Sequence, residues 1–88
     1  GGCVLAPELG AEPVPLMRRL IVRMLQSKLG ADARVETASV EAVLAGWHDG
    51  QINSGYVTNI QGNLAVSANK QGVRIEPMAA FRARRKRD

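Results

Sequence analysis

The stretch that decides the fold is residues 46–77, GWHDGQINSGYVTNIQGNLAVSANKQGVRIEP. Glycines at positions 46, 50, 55, 62 and 72 divide it into short segments. Between these glycines apolar and polar residues alternate, which is the period of a strand with one buried face. Turns that contain Gly and Asn between such segments are typical of antiparallel hairpins. We therefore predict a three-stranded antiparallel meander, with strands at about 55–60, 63–68 and 72–76.

The first half of this stretch also admits a helix. Apolar residues recur there at four-residue spacing, which one helix face could use: Ile52, Tyr56, Ile60 and Leu64. Against the helix, Gly55 and Gly62 would each cost about 1 kcal/mol in its interior. If the helix did form, residues 64–76 would be a wing beside it. The fold would then be a winged helix-turn-helix, which reads the DNA major groove with its second helix.

Two amphipathic helices are predicted before the sheet. The first spans residues 15–29, because Pro15 suits the first helical position and Gly30 suits the position after the end. Its apolar stripe consists of Met17, Leu20, Ile21, Met24, Leu25 and Leu29. The second spans residues 38–47, with a stripe of Val40, Val43, Leu44 and Trp47. Two helices packed on a three-stranded antiparallel sheet make an α+β fold.

The 88 residues allow one domain, and 45% hydrophobic with 23% charged residues is typical of a globular protein. Residues 1–12 have no clear period, and we expect them to be a flexible lead-in. Residues 13–81 form the predicted domain, and residues 82–88 a basic tail. The single cysteine, Cys3, excludes an internal disulfide. No apolar run is long enough to span a bilayer, and we expect a cytoplasmic location.

The positive charge is concentrated in two places. Residues 82–88 contain five basic residues and one acid, whereas residues 1–81 contain seven of each. Residues 13–31 carry four basic residues and no acid. Such clusters can neutralise the phosphates of nucleic acid. The candidate nucleic-acid-binding residues are Arg18, Arg19, Arg23, Arg82, Arg84, Arg85, Lys86 and Arg87.

Catalytic chemistry has little support in the sequence. The acidic residues are spread singly along the chain, and His48-Asp49 is the one titratable pair. Adjacent residues do not normally face each other, so we interpret Asp49-Gly50 as a turn. One Cys and one His far apart match no metal-ligand spacing, and the glycines form no phosphate-binding motif. We expect no catalytic residue, no metal and no other cofactor, and therefore no enzyme.

Two functions follow from these patterns. The first is nucleic-acid binding through the basic tail and the basic side of the first helix, with contacts mainly to phosphates and little sequence preference. The second is a protein–protein assembly or adaptor domain of a larger complex, possible also as a homo-oligomer. The open edges of a small sheet would meet the partner.

Overall fold

The predicted meander is present, and it belongs to a four-stranded antiparallel sheet. The computed structural model describes residues 2–85 of the chain. Its strands are β1 (Cys3–Leu5), β2 (Trp47–His48), β3 (Gln51–Ile52), β4 (Val57–Ile60), β5 (Leu64–Asn69) and β6 (Gly72–Pro77). Its α-helices are α1 (Val14–Leu29), α2 (Thr37–Leu44) and α3 (Met78–Arg85), and short 3-10 helices lie at Pro7–Ala11 and Gln61–Asn63. The α+β class is confirmed. The prediction of two helices and three strands is corrected to three α-helices and six strands within the described residues.

The main sheet has the order β1-β6-β5-β4 with every neighbouring pair antiparallel. β5 and β6 are joined by a tight turn, in which the backbone N–H of Gln71 donates to Asn69 Oδ1 at 2.8 Å. Gly72 ends this turn with φ 133°, and a Cβ there would collide with the carbonyl oxygen of Leu5. Only glycine therefore lets β1 lie beside β6 at this point.

The two faces of the sheet have different neighbours. Residues paired across strands share a face, and successive residues alternate between faces. The front face is covered by α1 and α2 and carries Leu64, Val66, Ala68, Val73 and Ile75, all buried. The back face carries the residues between these, including Ala65, Ser67, Arg74 and Glu76. The main hydrophobic core therefore lies between the front face and the first two helices.

Helix α1 closely matches the prediction of 15–29. Its buried residues Met17, Ile21 and Leu25 are spaced by four, so one stripe enters the core. Helix α2 was predicted to reach residue 47 but ends at Leu44. The chain turns at Gly46, where a side chain would collide with Val73 of the sheet.

Residues 45–60 contain no helix, so the winged helix-turn-helix alternative is wrong. β2 and β3 form a two-stranded hairpin in which Trp47 pairs with Ile52. Its turn residues Asp49 and Gly50 have φ of 52° and 79°, the left-handed conformations of a two-residue hairpin turn. Gly55 also has positive φ, 93°. These conformations exclude the recognition helix that the alternative required. The predicted Asp49-Gly50 turn is present.

The segment between β3 and β4 closes the end of α2. The Tyr56 hydroxyl donates to the Ala42 carbonyl at 2.7 Å, and Asn53 Nδ2 donates to the Ala45 carbonyl at 3.2 Å. Carbonyls in the last turn of a helix have no partner within the helix, so these bonds satisfy them. The four-residue period of Ile52, Tyr56 and Ile60 has a tertiary cause, since all three pack against the same core from separate short segments.

The first residues of the chain are part of the fold. β1 pairs with β6 at the sheet edge, and Trp47 Nε1 donates to the carbonyl of Pro7 at 3.0 Å. A Cβ on Gly10 would collide with the carbonyl of Gly50, so Pro7–Ala11 lies directly against the β2–β3 hairpin. Residues 1–12, predicted as a lead-in outside the domain, thus supply a strand and a packed turn. The three residues of β1 are too few to show the apolar–polar alternation by which a strand is recognised in a sequence.

Candidate nucleic-acid interface

Helix α3 carries the predicted basic tail as far as Arg85. It begins directly after β6, and Met78 and Phe81 pack with Ala65 on the back face of the sheet. Arg82 and Arg85 are exposed. The prediction that the tail begins at residue 82 is corrected for residues 82–85, which are helical. Lys86 and Arg87 lie outside the described residues.

An ion pair between the buried Glu76 and the half-exposed Arg84 attaches α3 to the sheet. Arg84 Nη2 lies 2.6 Å from Glu76 Oε2, and Arg84 Nε lies 3.4 Å from Glu76 Oε1. The Glu76 side chain is 5% exposed and that of Arg84 is 44% exposed. The two-point contact fixes the orientation of Arg84. Its charge is therefore largely offset by Glu76, unlike the charges of Arg82 and Arg85.

Phe81 connects the apolar and basic sides of α3. The guanidinium carbons of Arg84 and Arg85 lie 5.6 and 5.3 Å from the centre of its ring. Cations at this distance are attracted by the ring face. Phe81 itself is 9% exposed, because the ring is enclosed between the sheet and the arginine side chains. The helix is thus held by one small apolar cluster, one ion pair and two cation–π contacts.

The basic residues of α1 form a separate surface. Arg18 makes an ion pair with Glu41 of α2, and both side chains are about half exposed. Such a surface pair contributes little stability, about 0–1 kcal/mol, but it offsets the charge of Arg18. Arg19 and Arg23 are exposed and four residues apart, so they lie on one side of the helix.

The two basic surfaces lie on opposite faces of the sheet. α1 packs with Leu64 and Val66 on the front face, whereas α3 packs with Ala65 on the back face. The structure therefore brings Arg82, Arg84 and Arg85 together but does not join them to Arg19 and Arg23. The charge pattern of the sequence could not reveal this separation, because it depends on which side of the sheet each helix covers.

Glu76 and Phe81 are the residues of this surface that the sequence analysis did not select. The apolar–polar alternation of β6 placed Glu76 on the face away from the main core, where an acid is expected to be exposed. It is only 4% exposed, because α3 returns over that face. The signal available in the sequence was an isolated acid eight residues before Arg84, which is one member of the basic run, and that signal is weak.

The other titratable groups form no buried acid–base arrangement within residues 2–85. His48 Nε2 lies 3.5 Å from Asp49 Oδ2, and both side chains are more than four-fifths exposed. In the same described part of the chain, no group of three or more His, Cys, Asp or Glu residues could hold a metal ion. Burial raises the pKa of Tyr56 above its usual 10.0, against the opposing effect of a hydrogen bond with Thr58. The Tyr56 hydroxyl donates to a carbonyl in the last turn of α2, so its role is to stabilise the fold.

Among residues 2–85 no helix combines the length and the apolar character needed to cross a lipid bilayer. Comparisons of the chain with protein-family models, with curated proteins and with solved structures find no significant match.

Proposed function

We propose that this protein is a non-enzymatic binding module that contacts nucleic acid through α3 and its basic continuation. The observation that carries the proposal is the orientation of α3: its apolar residues and the Arg84–Glu76 pair hold the helix on the sheet. Arg82 and Arg85 are exposed to solvent and make no ion pair with an acid among residues 2–85, although Arg85 also lies over the Phe81 ring. The sequence continues with Lys86 and Arg87 and contains no acid from 77 to 87.

The chemistry of this surface suits phosphates better than bases. Exposed arginines bind phosphate oxygens through paired N–H donors and need no particular base sequence. Apart from its arginines, the exposed positions of α3 are alanines, Ala79, Ala80 and Ala83, whose side chains offer no hydrogen bond to a base edge. We expect strong dependence of the affinity on salt and little preference for sequence. Arg19 and Arg23 are a second, separate contact surface in this proposal.

Fluorescence anisotropy with a labelled DNA duplex and a labelled single-stranded RNA tests the proposal. The binding constant is measured over a range of salt concentrations for the natural chain and for Arg82→Gln/Arg85→Gln. Each lost phosphate contact on duplex DNA should lower the slope of log K against log salt by about 0.9, so the double variant should lose up to about two units of slope. Arg19→Gln/Arg23→Gln makes the same charge change on the second basic surface, so comparing the two variants shows how much each surface contributes.

Three outcomes separate the possibilities. Loss of slope only in the α3 variant supports α3 as the main contact. Equal losses in both variants show that both basic surfaces take part. Absent binding, or binding that neither variant nor salt alters, overturns the proposal.

A second candidate function, assembly with a partner protein, has its own supporting observation. β1 and β4 each have one neighbouring strand in the described sheet, so each leaves an edge that can pair with another strand. Val4 and Val57 lie on the back face of these edge strands and are each 43% exposed. A proline scan is the test: the backbone N–H groups of Val4 and Asn59 point to the open side of their edge strands. Val4→Pro and Asn59→Pro should therefore abolish recovery of a partner if strand addition is the mode, and unchanged recovery would contradict it.

A further inference from the structure

A cleft of about 390 Å³ lies on the front side of the molecule, between the start of α1, the end of α2 and the β2–β3 hairpin. Its apolar lining comes from Val14, Met17, Leu44 and Trp47. Val14 is 51% exposed although it lies at the first turn of α1, beside the buried Met17. The volume is near the lower end of small-ligand pockets, about 300–1,000 Å³, and suits one or two long side chains.

The rim of this cleft is acidic. Glu12, Glu41 and Asp49 line it, and Arg18 is the one basic residue among its lining side chains. Arg18 is paired with Glu41, and Glu12 and Asp49 are exposed carboxylates beside the apolar lining, Asp49 with the exposed His48 3.5 Å away. A lysine or arginine side chain matches such a site, because its aliphatic stem can lie on the apolar lining while its charged end meets the carboxylates.

The chain itself carries the complementary charges on α3, where Arg82 and Arg85 are exposed, Arg85 with its guanidinium over the Phe81 ring. Ala79 and Ala83 lie beside Arg82 on the helix and are exposed and small, so they allow close approach of another molecule. A molecule cannot place its own α3 in its own cleft, because α3 lies on the back face and the cleft lies on the front. Contact between the two surfaces must therefore join two copies.

We infer that this protein associates with itself head to tail, with the arginines of α3 from one copy in the acidic cleft of the next. The two contacting surfaces differ, so the contact is heterologous: it forms a closed ring where the rotation between copies closes, and otherwise an open assembly with one cleft and one α3 unoccupied at its ends. In both cases the associated fraction rises with concentration. The inference depends neither on nucleic-acid binding nor on strand addition, although nucleic acid bound to α3 would compete with it.

Two variants each remove one side of the contact. Glu12→Gln/Asp49→Asn neutralises the cleft, and asparagine tolerates the positive φ of position 49. Arg82→Gln/Arg85→Gln neutralises α3. Glu8→Gln/Glu36→Gln is the control, since it removes two exposed acids that do not line this cleft. All four positions of the two acid variants are exposed, and circular dichroism checks that each variant is folded.

Sedimentation equilibrium at low salt is the measurement. The average mass of the natural chain should rise above the monomer mass of 9.5 kDa as the concentration increases. It should return to the monomer mass at about 0.5 M salt, because salt screens the attraction between the charged surfaces. The cleft variant and the α3 variant should each remain monomeric alone. Their equimolar mixture should stop at the dimer, because the intact α3 of one fits the intact cleft of the other and no further contact is possible.

Several results would overturn the inference. These are a natural chain that stays monomeric at every concentration, a cleft variant that associates like the natural chain, and a mixture that forms no dimer. Loss of association in the Glu8→Gln/Glu36→Gln control would also overturn it, because the attraction would then depend on general charge and not on the cleft. At concentrations where the natural chain is monomeric, the cleft variant should still bind nucleic acid through its intact α3, so failure of one proposal is distinguishable from failure of the other.

Discussion

The two faces of the central sheet differ in how they are covered. On the front face, α1 and α2 enclose a continuous core in which Ile21, Leu25 and Val43 are at most 1% exposed. On the back face, α3 contributes a cluster of three buried residues and one ion pair. The row Val4, Arg74, Ser67 and Val57 crosses all four strands on that face and is half-buried or exposed. The front face supplies most of the stability, and the back face presents the densest basic surface.

This difference has a physical cause in the helices themselves. α1 has sixteen residues and sends a stripe of large apolar side chains into the core, whereas α3 has eight and only Met78 and Phe81 are buried. Apolar burial stabilises in proportion to area, about 25 cal/mol per Å², so the shorter helix is held more weakly. The ion pair of the buried Glu76 with the half-exposed Arg84 adds orientation more than stability. α3 can thus display arginines without contributing much to the core.

The largest expected effect is on the front face. Leu25→Ala should lower the free energy of unfolding by about 2–5 kcal/mol, because it removes a fully buried side chain and leaves a cavity. Val22→Ala is the control on the same helix, since Val22 is 39% exposed and should change stability by no more than about 0.5 kcal/mol. Urea denaturation measures both. Similar losses in the two variants would contradict the assignment of the core to the front face.

A smaller effect is expected where α3 meets the back face. Arg84→Ala should cost about 1–3 kcal/mol, because the buried Glu76 carboxylate loses its charged partner. The half-exposed position of Arg84 keeps the loss below that of a fully buried pair, since water can enter once the side chain is removed.

The relative stability losses of Glu76→Gln and Arg84→Ala show which partner of the ion pair is buried. Glu76→Gln should cost less than Arg84→Ala, because it leaves the half-exposed Arg84 to be solvated and removes the buried charge. Combining Glu76→Gln with Arg84→Ala should recover part of the loss of Arg84→Ala. Urea denaturation of the three variants is the measurement, and a greater cost for Glu76→Gln would show that the carboxylate is not the buried partner.

The smallest expected effect is at the closed end of α2. Tyr56→Phe should cost about 1 kcal/mol at neutral pH, because the Ala42 carbonyl loses its hydrogen bond. The raised pKa of Tyr56 means that the folded state holds the phenol proton more tightly than the unfolded state. Stability from this group is therefore complete below pH 10 and falls as pH rises above 10 towards the folded pKa.

Denaturation at a series of alkaline pH values tests this sign. The natural chain should lose stability above pH 10 more steeply than Tyr56→Phe, and the two curves should run parallel at neutral pH. A curve for Tyr56→Phe as steep as that of the natural chain would assign the alkaline loss to other groups.

The local patterns of the sequence were sufficient for the α+β class, for α1 and for the turns of the meander. A four-residue apolar period between Pro15 and Gly30 was enough to predict α1. Asn69 and Gly72 were enough to predict the turn between β5 and β6. These features depend on neighbours within a few residues. The strand predicted at about 55–60 is present but begins later, as β4 at Val57–Ile60, and the positive φ of Gly55 and Gly62 excludes a continuous helix through this segment.

Only the tertiary structure decided what each face of the sheet carries. The pairing of β1 with β6, the burial of Glu76 under Arg84 and the position of α3 opposite α1 all join residues on different elements. In the sequence the two basic segments are equivalent clusters of charge. In space the sheet lies between them, since successive residues of a strand point in opposite directions and each helix packs on one side only.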